Sequence, residues 1–245
     1  ASDVYKRQTM ANRKVPVLSA GEIQFFKDKQ KKDGRQRKVI SRSNAIRTIK
    51  FPSFKVGRMV HCNSPLERDA CPLMDVDHSI KIYQEQPVRL RYQLNGEVHD
   101  HYPDFELQTI TENIFREIKT EKYANTPEIK ARTAYLTEVL PTYGYQYEVM
   151  TETTIHQQPR LKNATFLLKH GRRPVDITQF EILRLYVKNV GQLFWGDGAP
   201  TSDCPLNVFE ICRLILDGYL SIRLDCDWED DTPIEFVKLI NHRGV

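Results

Sequence analysis

The residues of this chain best suited to chemistry lie in "HYPDFELQTITENIFREIKTEK", residues 101–122. Asp104 stands directly after Pro103, and Glu117-Ile118-Lys119 follows on a stretch with strand composition. Side chains two apart on a strand share a face, so Glu117 and Lys119 point the same way. If the Asp104 segment lies beside that strand, one carboxylate from each converges next to an ammonium. Hydrolysis of a phosphodiester asks for such a set. Mg2+, with Mn2+ as its natural substitute, takes hard oxygen ligands and usually only one or two carboxylates. The ion activates a bound water and stabilises charge on phosphorus, while a lysine can orient or help deprotonate the water. The bland alternatives are turn chemistry for Asp104 and an exposed edge-strand face for Glu117 and Lys119.

The surrounding text predicts the elements that would hold these residues. "IKIYQEQPVRLRYQL" and "EVHDHYPDFEL" read as two extended runs joined by Asn95-Gly96, a strong hairpin signal. Val88, Leu90, Tyr92 and Leu94 alternate with polar residues ahead of the turn. "NIFREIK" reads as a third strand, Thr126-Pro127-Glu128 caps a helix running to about Leu140, and "YQYEVMTE" reads as a fourth strand. "RLKNATFLLKH" predicts a further helix. This order describes an α/β unit with a mixed sheet.

Upstream, "SPLERDACPLMDV" opens a helix, with Ser64 as cap, Pro65 at the first helical position and an apolar stripe of Leu66, Ala70, Leu73 and Met74. Glu67, three residues after the cap, has two readings. It is the return half of a capping box with Ser64, or a carboxylate free to hold a metal.

Past Gly171–Pro174, a plausible linker, "ITQFEILRLYVKNV" and "PLNVFEICRLILDGY" read as amphipathic helices, the second ended by Gly218. "LSIRLDC" and "PIEFVKLI" add a last strand pair. Helices followed by a two-stranded wing predict a winged-helix C-terminal domain over 171–245. His99 and His101 read as structural or DNA-facing rather than zinc ligands, because no Cys or His pair completes a tetrahedral set. Trp195, in the Gly-rich "GQLFWGDG", reads as loop packing.

With 245 residues, the chain is long enough for one large domain or two small ones. No apolar run approaches the ~18 residues of a membrane span, and the basic N-terminus lacks the apolar stretch of a secretory signal, so a cytoplasmic protein is expected. Residues 1–9, "ASDVYKRQT", resemble translated adapter sequence more than a native start and are set aside. The five cysteines are widely spaced and read as reduced thiols with no shared role. From Ala11 to Arg58 there are 14 Lys/Arg against 3 Asp/Glu, whereas Asp203 to Val245 carries 4 against 9. The basic end suits a polyanion. Residues 27–58 have few apolar residues in period and are expected to order only on a partner. The acidic end suits protein contact.

Pro103-Asp104 followed by Glu117-Ile118-Lys119 looks like the PD-(D/E)xK nuclease signature. With "SPLERDAC", "YQEQPVRLRY", "HYPDF" and "VMTETTIHQQPRLKN" around it, the chain resembles the TnsA-type transposon endonucleases over roughly residues 38–170. The resemblance implies a restriction-endonuclease-like mixed sheet flanked by helices, preceded by a basic, partly disordered segment (1–37) and followed by the winged-helix domain. It implies catalytic residues Glu67, Asp104, Glu117 and Lys119, with Glu67, Asp104, Glu117 and the Ile118 carbonyl holding Mg2+. The position of Glu117 is a glutamine in the best-known member of the family. The implied function is cleavage of the 5′, non-transferred strands at transposon ends. The implied partners are double-stranded DNA, a TnsB-like transposase and a TnsC-like AAA+ regulator, in the bacterial cytoplasm. A stand-alone restriction or repair nuclease of the same fold, or a non-catalytic interaction module, would share much of this text.

Overall fold

Val88, Leu90 and Tyr92 alternate with polar neighbours, and all three are buried in the structure, a computed structural model that describes residues 21–27 and 49–237. The described residues form a mixed α/β protein. The first strands are β1 (Ile23–Phe26), β2 (Ile49–Pro52) and β3 (Met59–Cys62), followed by helix α1 (Pro65–Val76). Then come β4 (Ile80–Glu85), β5 (Arg89–Leu94), β6 (Glu97–His101), β7 (Phe105–Thr109) and β8 (Asn113–Lys119). Helices α2 (Glu121–Ala124) and α3 (Pro127–Val139) lead to β9 (Tyr145–Thr151), and α4 (Glu152–Ile155) and α5 (Arg160–His170) close this part of the chain.

The central sheet has the order β4-β7-β8-β9, antiparallel except for the parallel pair β8/β9. Ile118 joins Met74 and Tyr83 in a core on the α1 side of the sheet. Phe115, one pleat away, joins Leu136 of α3 in the core on the opposite side. Glu117 shares the face of Phe115, so it points toward α3.

The predicted hairpin forms at Asn95-Gly96, both at positive φ, but its arms are not two continuous strands. Each arm breaks at a proline, Pro87 or Pro103, because proline cannot donate to the ladder. The outer halves, β4 and β7, enter the central sheet. The inner halves, β5 and β6, form a second sheet with β1, in the order β1-β5-β6. The Gln86 amide donates to the Asp104 carbonyl at 2.9 Å and ties the two breaks together, placing Asp104 at a sharp corner.

The expectation that residues 27–58 carry no packed element needs correction where they are described. Ile49–Pro52 pairs with Met59–Cys62, and Phe51 and Phe54 pack against the core of the C-terminal half. Ile23–Phe26, inside the segment assigned as partly disordered, pairs with β5. Dense charge hides these short apolar alternations in the sequence. Residues 1–20, 28–48 and 238–245, including the adapter-like stretch and most of the basic segment, lie outside the described residues.

The C-terminal part contains α6 (Ile177–Val190), β10 (Leu193–Phe194), α7 (Val208–Leu216), β11 (Leu220–Ser221) and β12 (Pro233–Phe236). The predicted strand pair is β11/β12, and β10 adds to the other side of β12. Gly171, read as the start of a linker, is instead pressed against α7. A Cβ there would lie 2.8 Å from the Cys212 carbonyl carbon. Leu73 and Val76 of α1 share a core with α5, α6 and α7. The two halves therefore meet through a packed joint.

Trp195 packs as expected, 4.5 Å from the Trp228 ring and 5.8 Å from Phe166. All five cysteines are free thiols, but Cys62 and Cys71 touch, with sulfurs 3.8 Å apart, so those two do share an environment. Among the described residues no helix is long and apolar enough to cross a membrane.

Candidate active site

Three elements bring the predicted residues together. β7 and β8 pair with Phe105 opposite Arg116, so Asp104 lies beside the end of β8 that carries Glu117, Ile118 and Lys119. The Ile118 amide donates to Asp104 Oδ2 at 2.8 Å. Lys119 Nζ sits 2.5 Å from Glu117 Oε1 and 3.6 Å from Asp104 Oδ2, and it also donates to the Ile118 carbonyl at 3.1 Å. The two-residue spacing thus turns both side chains onto one face, and the ammonium bridges the carboxylates.

Glu67 enters from the N-terminal turn of α1, where Ser64 Oγ accepts from the Glu67 amide at 3.1 Å. The return bond differs from a strict capping box. Glu67 Oε2 accepts from the Asn63 amide at 2.8 Å, one residue before the cap, and Oε1 accepts from Ser64 Oγ at 3.1 Å. The capping reading is therefore correct in kind. Both carboxylate oxygens are taken by the capping turn, and among the described residues Glu67 forms no hydrogen bond or ion pair with Asp104, Glu117 or Lys119. It meets them only through charge, Asp104 raising its pKa and Lys119 lowering it.

Burial sets the electrostatics. Glu117 is 3% exposed and Glu67 7% exposed. Desolvation, with the neighbouring Asp104 charge second, pushes each carboxyl up to about 7. Asp104 is also raised by burial, against the pull of Lys119 and the Ile118 amide. Burial works against the Lys119 ammonium, but Asp104 and Glu117 outweigh it and its pKa is raised. Lys119 is consequently a firm cation at neutral pH, beside carboxyls whose ionisation burial disfavours.

Three further residues complete the cluster. Arg132 Nη2 donates to Glu117 Oε1 at 3.1 Å. His101 Nε2 lies 3.4 Å from Glu117 Oε2 and 3.2 Å from the Tyr147 hydroxyl. His101 is buried, and burial followed by the charges of Arg132 and Lys119 holds it well below the usual imidazole range, so it is neutral. The structural reading of His101 stands and the DNA-facing one does not, while His99 stacks on Tyr92. Arg132 carried a sequence signal that went unused. With Tyr135, Leu136 and Val139 it follows the i, i+3, i+4, i+7 stripe of the buried face of α3.

The donors fit a hard divalent cation in kind. Glu67, Asp104 and Glu117 supply carboxylate oxygens, and Glu117 Oε2 is buried without a hydrogen-bond partner. Among the described residues, however, no group of three or more His, Cys, Asp or Glu is arranged as a preformed metal site. The Ile118 carbonyl, a predicted ligand, accepts from Lys119, and its side chain is buried in the core. No protein-family model matches the chain, and no curated protein matches it.

Proposed function

We propose that the chain is a metal-dependent DNA endonuclease of the TnsA type, with a restriction-endonuclease-like core and a winged-helix C-terminal part. On this reading it cleaves the 5′ strands at transposon ends, in the bacterial cytoplasm, together with a TnsB-like transposase and a TnsC-like AAA+ ATPase. The observation that supports it most is the convergence of Asp104 and Glu117 on Lys119 at one corner of the central sheet, with Glu67 near enough for the Asp104 and Lys119 charges to act on it.

Glu67, Asp104 and Glu117 would hold Mg2+ or Mn2+. Such an ion, when bound, acidifies a coordinated water and spreads charge developing on the attacked phosphate. Lys119 is positioned to donate to a phosphate oxygen or to orient a water. Its raised pKa makes it a donor rather than a base in this state. The Ile118 amide fixes Asp104, and Arg132 fixes Glu117, so both carboxylates are oriented by groups that need not move. Neutral His101, against Glu117 Oε2, walls the carboxylate off from solvent.

A second reading, a non-catalytic interaction module, has one observation in its favour. Lys119 and Arg132 already neutralise Glu117, as in a purely structural ion-pair network. The deciding experiment is cleavage of duplex DNA carrying transposon-like ends, with Mg2+ or Mn2+ and the partner transposase, by wild type and Asp104→Asn. The nuclease reading predicts nicks at 5′ strands by wild type only. Equal products from both proteins, or no products under any condition, would reject it.

A further inference from the structure

Away from the carboxylates, a cavity of about 280 Å³ opens where α5 meets α7, lined by Lys169, His170, Arg172, Arg173 and Phe209. Its wall contains no carboxylate. Among the described residues none of Lys169, Arg172 or Arg173 forms an ion pair. The nearby acids are committed elsewhere. Asp176, three residues after Arg173, caps α6 by accepting from the Thr178 amide at 2.7 Å. Glu210 accepts from Gln179 and from the Asn207 amide, and Asp217 pairs with Arg213.

Lys169 and His170 end α5, where the helix dipole favours cations, and that alone could account for two of the charges. It accounts for neither Arg172 nor Arg173, which lie beyond the helix in the joint between the two halves. Arg172 Nη2 donates to the Pro52 carbonyl at 2.9 Å, so the cavity adjoins the end of β2 and the basic segment that runs through it. Arg213 stacks over Phe54 on the same seam, its guanidinium 5.0 Å from the ring centroid. Phe209 is 47% exposed and tilts against His170 at 5.4 Å, an aromatic left open to solvent amid the cations.

Unpaired cations repel one another, and a concave basic wall is stabilised when an anion enters it. We propose that this cavity seats a backbone phosphate of nucleic acid, held by Lys169 and Arg173, with the exposed ring of Phe209 against the sugar or base. The aromatic favours a nucleic acid over an acidic peptide, because every base presents a π-face and an acidic side chain does not. The site rests on the DNA-binding part of the proposed function but not on its chemistry. It would give the C-terminal half, whose last segment is acidic, a DNA contact distinct from the catalytic corner.

The test is fluorescence anisotropy of a labelled 30-base-pair duplex with the full chain in EDTA, where cleavage plays no part. Wild type, Lys169→Glu/Arg173→Glu and the milder Lys169→Gln/Arg173→Gln are compared across a salt series, after circular dichroism shows equal folding. Arg172 is left intact because it also holds Pro52. Loss of the one phosphate seated there should weaken binding about tenfold or more and reduce the slope of log K against log salt by about 1. Inorganic phosphate should compete with wild type and not with the variants. Unchanged affinity and slope in both variants would overturn the site, whatever the variants do to a protein partner. A chain that binds DNA through this cavity but never cleaves would keep the site and reject the nuclease reading; a chain that cleaves but binds independently of the cavity would do the reverse.

Discussion

The Ile118 amide donates to Asp104 Oδ2 at 2.8 Å, so the corner after Pro103 is clamped to the strand that carries Glu117 and Lys119. That bond fixes the spacing on which the account depends. It ties the Asp104 side chain to the backbone of the strand, while the Asp104 backbone is held separately by the Gln86 amide at 2.9 Å.

Lys119 is the cation shared by Asp104 and the buried Glu117. Among the described residues, removing it leaves Asp104 with no ion-pair partner and Glu117 with Arg132 as its one cation. Lys119→Met is expected to destabilise the fold by about 3 kcal/mol, measured by urea unfolding at pH 7. A loss below about 0.5 kcal/mol would mean that the pair is no more than a surface contact.

Ionisation of Glu67 is disfavoured in the fold. Its folded pKa, about 7, lies above the ordinary 4.5, so the folded state holds a proton that the unfolded state releases. Its stabilising contribution is present below about pH 4.5 and is lost as pH rises through 7. Glu67→Gln, which does not titrate, should therefore gain thermal stability relative to wild type between pH 5 and 8. A difference in melting temperature that stays constant over that range would show that Glu67 is not perturbed.

Ser64→Ala removes the hydroxyl that caps α1 and also donates to Glu67. The expected cost is about 1 kcal/mol of stability. If Glu67 serves the site, cleavage should fall as well, because the carboxylate loses one of the two bonds that orient it. Activity that tracks only the fraction folded would limit Ser64 to capping.

Gly171→Ala tests the joint between the two halves. A methyl at this position meets the backbone of Cys212, which cannot swing away, so the helices must shift. A loss of about 1–3 kcal/mol is expected from chemical denaturation. A neutral outcome would restore the flexible linker that composition suggested.

Periodic segments were legible in the sequence. β8 and α5 have the bounds predicted for them, and α3 starts at Pro127 after its Thr126 cap and ends just short of Leu140. Glu117 and Lys119 were legible as a same-face pair because strand period is two. What escaped was set by long-range packing. Local text could not show that Pro87 and Pro103 divide one hairpin between two sheets, since the partners that claim each half lie elsewhere in the chain. Arg132 and Tyr147 reach the site from α3 and β9, and the tight fit at Gly171 depends on Cys212. Charge density masked β2, whose apolar residues are only Ile49, Phe51 and Pro52.

The most direct test of the central claim is calorimetric titration of Mn2+ into the wild type and into Asp104→Ala, each with and without duplex DNA. The account predicts binding to the wild type, at least in the DNA complex, and none to the variant under either condition. Binding that survives the loss of Asp104, or a wild type that takes up no metal even on DNA, would contradict a nuclease site at this corner.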